Sequence, residues 1–577
     1  MKKLIYNISS CLIATCLMFS SACTEGFEEL NTDPKNPTQT NEPYMFTGLL
    51  DFMNPFNGNF SYDYGFGYLY YLSQVGTITS DGAPTGSFTQ MSVARATDTS
   101  WDSFKNFMAN ANYLENMILS SATSEGQKKN QLAILRILRA KLVFDITDLF
   151  GDMPYSEAGR AFGTSPIYRP KYDTQESIYK SLLADLDEAI DNLSPNDGAY
   201  GNNDILFKSN TERWKSFANT IRLKHALRMS NVDPAAAKTI IGKVLNSSAT
   251  LPAPAKGYDL ANFDLDAFTA GVNFGRGEMD GVNGEPGLMV YYNNTLRIGT
   301  ALWNQLSDAP TSVDGSDFFD PRAVIFMDKA DLGTRYIPLT QGFGQRSATE
   351  NFELDWSDRG VRAYHNNREE NGDAGYYGLM NPGVTSSPLN YNIVKGNVTS
   401  HPQIWYSAAE VQFMLAEIYA REDLGFQDLT KAKEHYVTGL ITSVKFWYDL
   451  AYTQQAPSGH QSPWVDLPTK PNTADIERFL SNPKVDWDKN PNKLGLIYTQ
   501  RWIEYVLRPH DAFFLRLEKG DAALPYLIPE AFEGLPAYFR NFKRLPMQST
   551  EISDNFDNWQ AARGEDDPTV ATWWQKK

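Results

Sequence analysis

Cysteine and histidine are the residues whose chemistry their positions constrain most tightly in this 577-residue chain. Cys11, Cys16 and Cys23 all fall within the first 23 residues, so nothing downstream offers a thiol nucleophile, a disulfide or a cysteine metal ligand. His225, His365, His401, His435, His460 and His510 are dispersed without metal-ligand spacing, and each reads as a surface or helix residue. No Gly-x-Ser-x-Gly elbow, phosphate-binding glycine-lysine loop, His-Glu-x-x-His or Asp-x-Asp-x-Asp-Gly calcium loop occurs. The expectation is a binding protein with no catalytic residue, no cofactor and no metal. A glycoside hydrolase stays open as an alternative, because two catalytic carboxylates far apart in sequence would not stand out among 69 Asp and Glu. A scaffold that binds only protein is the third reading.

Binding chemistry is easier to find. Aromatic residues make up 13% of the chain, with 30 Tyr and 12 Trp, and their flat faces with polar tips suit sugar rings and interfaces. Tyr291, Tyr292, Trp303, Trp356, Tyr364, Tyr376 and Tyr377 fall in an irregular section, with Asn293, Asn294, Asn366 and Arg368 as polar partners. Stacking on one ring contributes about 0.5–1.5 kcal/mol, so a useful site needs two or three rings together with hydrogen bonds. The run Tyr62-Asp63-Tyr64-Gly65-Phe66-Gly67-Tyr68 could add to such a site, although packing of a first helix explains it as well.

The N-terminus carries a different chemistry. Lys2 and Lys3 precede an apolar run from Leu4 to Phe19 that closes on Ser20-Ser21-Ala22-Cys23. The run is interrupted by Asn7, Ser9 and Ser10 and is shorter than the ~20 residues of a membrane span, so 1–22 reads as a signal peptide. A cysteine directly after small residues reads as the acylated first residue of a bacterial lipoprotein, with ordinary secretion as the alternative. Two or more acyl chains at ~0.8 kcal/mol per buried methylene make a stable tether. The net charge of −17 argues against nucleic acid and anionic lipid heads as partners and favours neutral or cationic ligands.

The elements that must position these residues are mostly helical. Residues 23–43 are polar and turn-rich, a linker. Trp101, Phe104, Met108, Ala111 and Leu114 recur at helical spacing, as do Ile178, Leu182, Leu186, Ile190 and Leu193. Gln131 to Phe150 is apolar on nearly all sides and stops at Gly151, which predicts a buried helix with a glycine cap. Further helices are expected over Trp214–Met229, from Asp233-Pro234 to Val244, and from about Leu496 to Leu507. Ala408 to Ile418 and Ala432 to Trp447 should form a hairpin about as long as one tetratricopeptide unit, without that repeat's consensus. Between them, 251–400 is rich in Gly, Asn, Pro and Asp and reads as long ordered loops, where binding usually resides. The expected organisation is one globular domain over 44–577, with a helical scaffold at 44–250 and 401–520 and an irregular tail at 521–577.

Six segments, in order, carry a specific resemblance. They are Asn31-Thr32-Asp33-Pro34, Leu149-Phe150-Gly151-Asp152-Met153-Pro154-Tyr155-Ser156-Glu157-Ala158, Arg213-Trp214-Lys215-Ser216-Phe217-Ala218-Asn219 and Phe319-Asp320-Pro321-Arg322, followed by Ile497 to Trp502 with Asp511-Ala512-Phe513, and Arg544-Leu545-Pro546 to Trp559. Together with Cys23 they resemble the SusD-like (RagB/SusD) outer-membrane lipoproteins, in the branch with the Asn-Thr-Asp-Pro linker. The resemblance implies a mainly α fold in which four tetratricopeptide-like helix pairs form a scaffold and a loop-rich section builds the ligand face. It also implies lipid anchoring at Cys23 on the outer membrane, facing the cell exterior. A SusC-like TonB-dependent barrel would be the partner, capped by this protein as a lid over captured oligosaccharide or peptide. Members of the family bind without cutting.

Overall fold

In the computed structural model, the described residues are 41–53, 55–56, 75–77, 90–247, 251–254, 268–270, 296–327, 329, 336–338, 387, 403–453, 468–506, 508–526 and 541–576. Fifteen α-helices are found among them. The first block holds α1 (Glu42–Leu49), α2 (Gln90–Ser120), α3 (Glu125–Phe150), α4 (Gln175–Asn192), α5 (Thr211–Met229) and α6 (Pro234–Leu245). Two short helices follow, α7 (Thr300–Leu306) and α8 (Ala323–Phe326). The second block comprises α9 (Ala408–Ala420), α10 (Leu429–Thr453), α11 (Thr473–Ser481), α12 (Lys493–Glu504) and α13 (Pro509–Lys519), with α14 (Ser549–Asp554) and α15 (Phe556–Arg563) in the tail.

Local chemistry sets the helix ends. Ser124 caps α3 by accepting the Gln127 N–H, and Gly151 at φ 78° closes it, donating its N–H to Thr147 O at 2.7 Å. Along its second half α3 is buried on nearly all sides, with Lys141, Asp145 and Asp148 buried among its apolar residues. Asn210 and Ser407 cap α5 and α9 in the same way, and Asp233 with Pro234 starts α6. The turn before α5 holds Lys208 and Ser209 in the left-handed region, and Asp204 offsets that strain. Its buried carboxylate accepts from the backbone of Leu206, Phe207 and Ser209 and from the Trp214 indole at 2.6 Å. The helix expected over Leu496–Leu507 is corrected. It ends at Glu504, and α13 starts at Pro509, because proline lacks an N–H and disfavours helical geometry in the residue before it.

Short connectors fold α2 onto α3, α5 onto α6 and α9 onto α10, the helix-pair stacking of a tetratricopeptide-like scaffold. One continuous apolar core runs through both blocks, and a smaller cluster of Leu223, Leu227, Ile241, Val411, Leu415 and Leu424 joins α5, α6 and α9. Three small antiparallel pairs complete the frame. Strands β1 (Val75–Thr77) and β5 (Leu296–Ile298) pair, as do β2 (Met153–Pro154) and β3 (Tyr172–Asp173), and β4 (Phe268–Ala270) and β6 (Gln403–Tyr406). Because β4 lies near the start of the loop-rich section and β6 just after it, this last pair holds the two ends side by side. Among the described residues no helix is long and apolar enough to cross a membrane.

Candidate functional site

The structure places one of the expected ligand residues. Trp303 lies on α7, 1% exposed, with Phe318 edge-on to its ring at 5.2 Å and its indole N–H donated to Ala309 O at 2.7 Å. Its ring is buried and its polar handle is bonded within the core, which corrects the expectation that it is a ligand platform. Tyr291, Tyr292, Asn293, Trp356, Tyr364, Tyr376 and Tyr377 lie outside the described residues, as do Asn294, Asn366, Arg368, the 62–68 run and Cys23. Of the histidines, His225 is buried and stacked on Phe144, His510 is partly buried and stacked on Phe56, and His435 stacks on Tyr419. No group of three His, Cys, Asp or Glu able to hold a metal is found among the described residues.

The base of the loop-rich section is fixed by a buried ion pair. Arg322, 0% exposed, donates Nε and an Nη to Asp320 at 3.0 and 2.6 Å, and reaches Ser443 on α10 at 2.8 Å and Gln500 on α12 at 2.6 Å. Tyr448 of α10 donates its hydroxyl to Pro321 O at 2.9 Å. The Asp-Pro-Arg segment thus clamps the loops to two scaffold helices. Satisfying every strand of that guanidinium fork fixes orientation as well as position.

A second set of buried charges joins α9 to α12 and α13, and sequence reading missed it. Glu417 of α9 accepts from Arg501 at 2.6 Å and from Arg421 at 3.2 Å, with Lys519 also bound. Burial alone would raise the Glu417 pKa, but the Lys519, Arg501 and Arg421 charges outweigh it and hold it at about 2. One helical repeat away, Glu410 accepts from Arg508 at 2.5 Å, and Lys224 of α5 bridges Glu410 at 3.1 Å and Asp511 at 2.5 Å. The signal was present as spacing. Glu410 and Glu417 are seven apart inside an apolar stripe, Arg501 and Arg508 are seven apart, and the pairs match in antiparallel order. On α3, burial pushes Asp148 up to about 6 despite its bonds to Arg228 and Tyr179.

Where α5, α9 and α13 end beside Tyr498 in the middle of α12, this charged seam opens into a cavity of about 670 Å³. Its wall includes Ser230, Asn231, Arg421, Tyr498, Glu518 and Lys519.

Comparison with known proteins now decides the family. The SusD-like family model, described as starch-binding proteins associating with the outer membrane, matches residues 46–269 and 341–514. The chain belongs to the SusD-like family. Solved structures share the fold. A chitin-binding protein is 19% identical, with a TM-score of 0.62 over 93% of this chain and 99% of its own. A chitin-binding SusD homologue from Flavobacterium johnsoniae is 18% identical, with a TM-score of 0.57 over 92% and 98%. A SusD homologue from Bacteroides fragilis is 20% identical, with a TM-score of 0.58 over 93% and 100%. No curated protein matches the chain.

Within this SusD-like chain the segment Leu149–Ala158 has a clear task. Leu149 O accepts from the Leu545 N–H at 2.7 Å, and Asp152 Oδ1 accepts the Gln175 N–H at 2.8 Å, one of the free donors at the start of α4. Arg563 of the tail reaches Phe150 O and Asp152 O. The segment therefore locks the end of the central helix to the C-terminal segment, which explains why both stand out in the sequence.

Proposed function

We propose that this protein is a non-catalytic, cell-surface nutrient-binding lipoprotein, held at the outer membrane by acylation of Cys23, that captures oligosaccharide and delivers it to a SusC-like TonB-dependent barrel for which it is the lid. The observation that carries the proposal is membership of a family described as starch-binding and associated with the outer membrane. Two SusD-fold structures of similar shape are named as chitin-binding, which favours a glycan over a peptide. The scaffold supports a lid: a rigid helical body clamps the base of the loop-rich section through Arg322, so the loops can be presented as one face. Tyr291, Tyr292, Trp356, Tyr364, Tyr376 and Tyr377, with Asn293, are the residues assigned to that face.

Isothermal titration of the chain from residue 23 onward against glycan and peptide panels tests this. Heat from a glycan, with the glycan recovered intact, is expected. Shortened products would replace the reading with a glycoside hydrolase, and heat from peptides alone would replace the ligand. No heat from either panel would favour a protein-binding scaffold. Pull-down of a TonB-dependent barrel from outer membranes tests the partner, and Cys23→Ala should move the protein to the soluble fraction.

A further inference from the structure

In sequence, Trp356, Tyr364, Tyr376 and Tyr377 lie between two points fixed to the scaffold, Asp320-Pro321-Arg322 and Ser407 at the end of β6, and hydrogen bonds from both points meet on Glu504 of α12. At the first point Arg322 donates to Ser443 Oγ at 2.8 Å, and the Ser443 hydroxyl donates in turn to Glu504 Oε2. The same oxygen accepts the Trp447 indole N–H at 3.0 Å, and Trp447 holds Phe326 of α8 edge-on at 4.9 Å. At the second point Ser407 donates its hydroxyl to Glu504 Oε1 at 2.5 Å and accepts the Glu410 N–H at 3.1 Å, capping α9. Glu504, Ser407, Ser443 and Trp447 are all buried.

Glu410 and Glu417 are met by arginine and lysine, whereas the bonds to Glu504 come from two hydroxyls and an indole N–H, all neutral. Neutral donors offset the desolvation of a carboxylate less completely than a cation does, and an apolar side chain with apolar partners would fill the space without that cost. Geometry accounts for the glutamate better. Its two oxygens accept at a fixed separation, so one side chain ties Ser443 on α10 to Ser407 at the start of α9. We propose that Glu504 is a positioning residue for the loop face: through Ser443 and Ser407 it fixes, relative to one another, the two points that bracket the ligand-facing stretch. Its effect on binding rests on the glycan-binding function proposed above, and the coupling between the two points does not.

Hydrogen exchange of the chain from residue 23 onward, without ligand, reads the coupling. Ser443→Ala cuts only the first arm, yet exchange should quicken about threefold or more at 403–407 as well as at 323–327. Glu504→Met, which keeps the length and removes both oxygens, should quicken both. Glu504→Gln can accept from Ser443 and Trp447 and donate to Ser407, so its exchange should stay near wild type. Quickening confined to 323–327 in Ser443→Ala, or a Glu504→Gln protein that exchanges like Glu504→Met, would overturn the proposal. With a glycan bound by the wild type, Glu504→Met and Ser443→Ala should each weaken it about threefold or more at temperatures where all are folded, and Glu504→Gln should not. Unchanged affinity in both weakened variants would overturn the role in binding. A wild type that binds no glycan would overturn the glycan reading and that role with it, while the exchange result would still decide the coupling.

Discussion

Helix α3 meets α4 mainly through rings and aliphatic side chains, with Phe144 edge-on to Tyr179 at 4.9 Å, Leu182 and Leu186 buried behind them and polar bonds such as Tyr179 to Asp148 at the end near Gly151, whereas α9 meets α12 and α13 through Glu410, Glu417, Arg501, Arg508 and Lys519. Apolar packing contributes stability but has little directional preference, so along its apolar stretch that seam sets register less strictly than an array of ion pairs does. Ion pairs seven residues apart on both partners match in a single register, and a shift by one turn would bury four charges without partners. We read the ionic seam as the element that fixes the second block's helices relative to one another. The same block carries Ser443 and Gln500, which clamp the loop-rich section.

The strongest way to break the comparison is to remove one charge. Glu417→Ala leaves Arg501, Arg421 and Lys519 facing each other and should cost about 3–5 kcal/mol in urea unfolding. A cost below about 1 kcal/mol would show that the seam is not directional. In the apolar seam, Leu182→Ala should cost about 2–5 kcal/mol, with the loop clamp unaffected.

Acidification separates the seams further. Glu417 has a folded pKa depressed from 4.5 to about 2, so its contribution is present above pH 4.5 and is lost as pH falls toward 2. The loss amounts to roughly 3 kcal/mol. Asp148 has a folded pKa raised from 3.8 to about 6, so its contribution is fully present below pH 3.8 and disappears as pH rises through 6. Stability measured from pH 7 to 3 should therefore gain from Asp148 before it loses from Glu417. Glu417→Gln should flatten the acid limb below pH 4.5 and leave the change near pH 5 in place. The smallest effect concerns a helix end: Asn210→Ala removes the cap of α5 and should cost about 1 kcal/mol, with the ionic seam intact.

What could be read from residues alone follows the same division. The buried run ending at Gly151 and the amphipathic faces at 101–114 and 178–193 were legible because apolar periodicity and a glycine cap are local signals. The helix break before Pro509 was hidden, because the apolar pattern continues to Leu507. Trp303 illustrates the limit for the site. An aromatic in a Gly-rich and Asn-rich section reads as a platform, yet its partners Ala309 and Phe318 close a local core that no periodicity announces. The Glu417 and Arg501 pair was hidden differently, since each charge reads as solvent-facing until the two seven-residue spacings are laid antiparallel. The Arg322 clamp was visible as a family segment, while its partners Ser443 and Gln500 were not.

We propose that the helical body presents a loop face that holds a glycan without cutting it. Titration of that glycan, once found in the panel, into the wild type and into the Tyr376→Ala, Tyr377→Ala variant at matched thermal stability tests it most directly. Intact glycan throughout and at least tenfold weaker binding by the variant are expected. Equal affinity for the two proteins, or cleavage of the glycan by either, would contradict it.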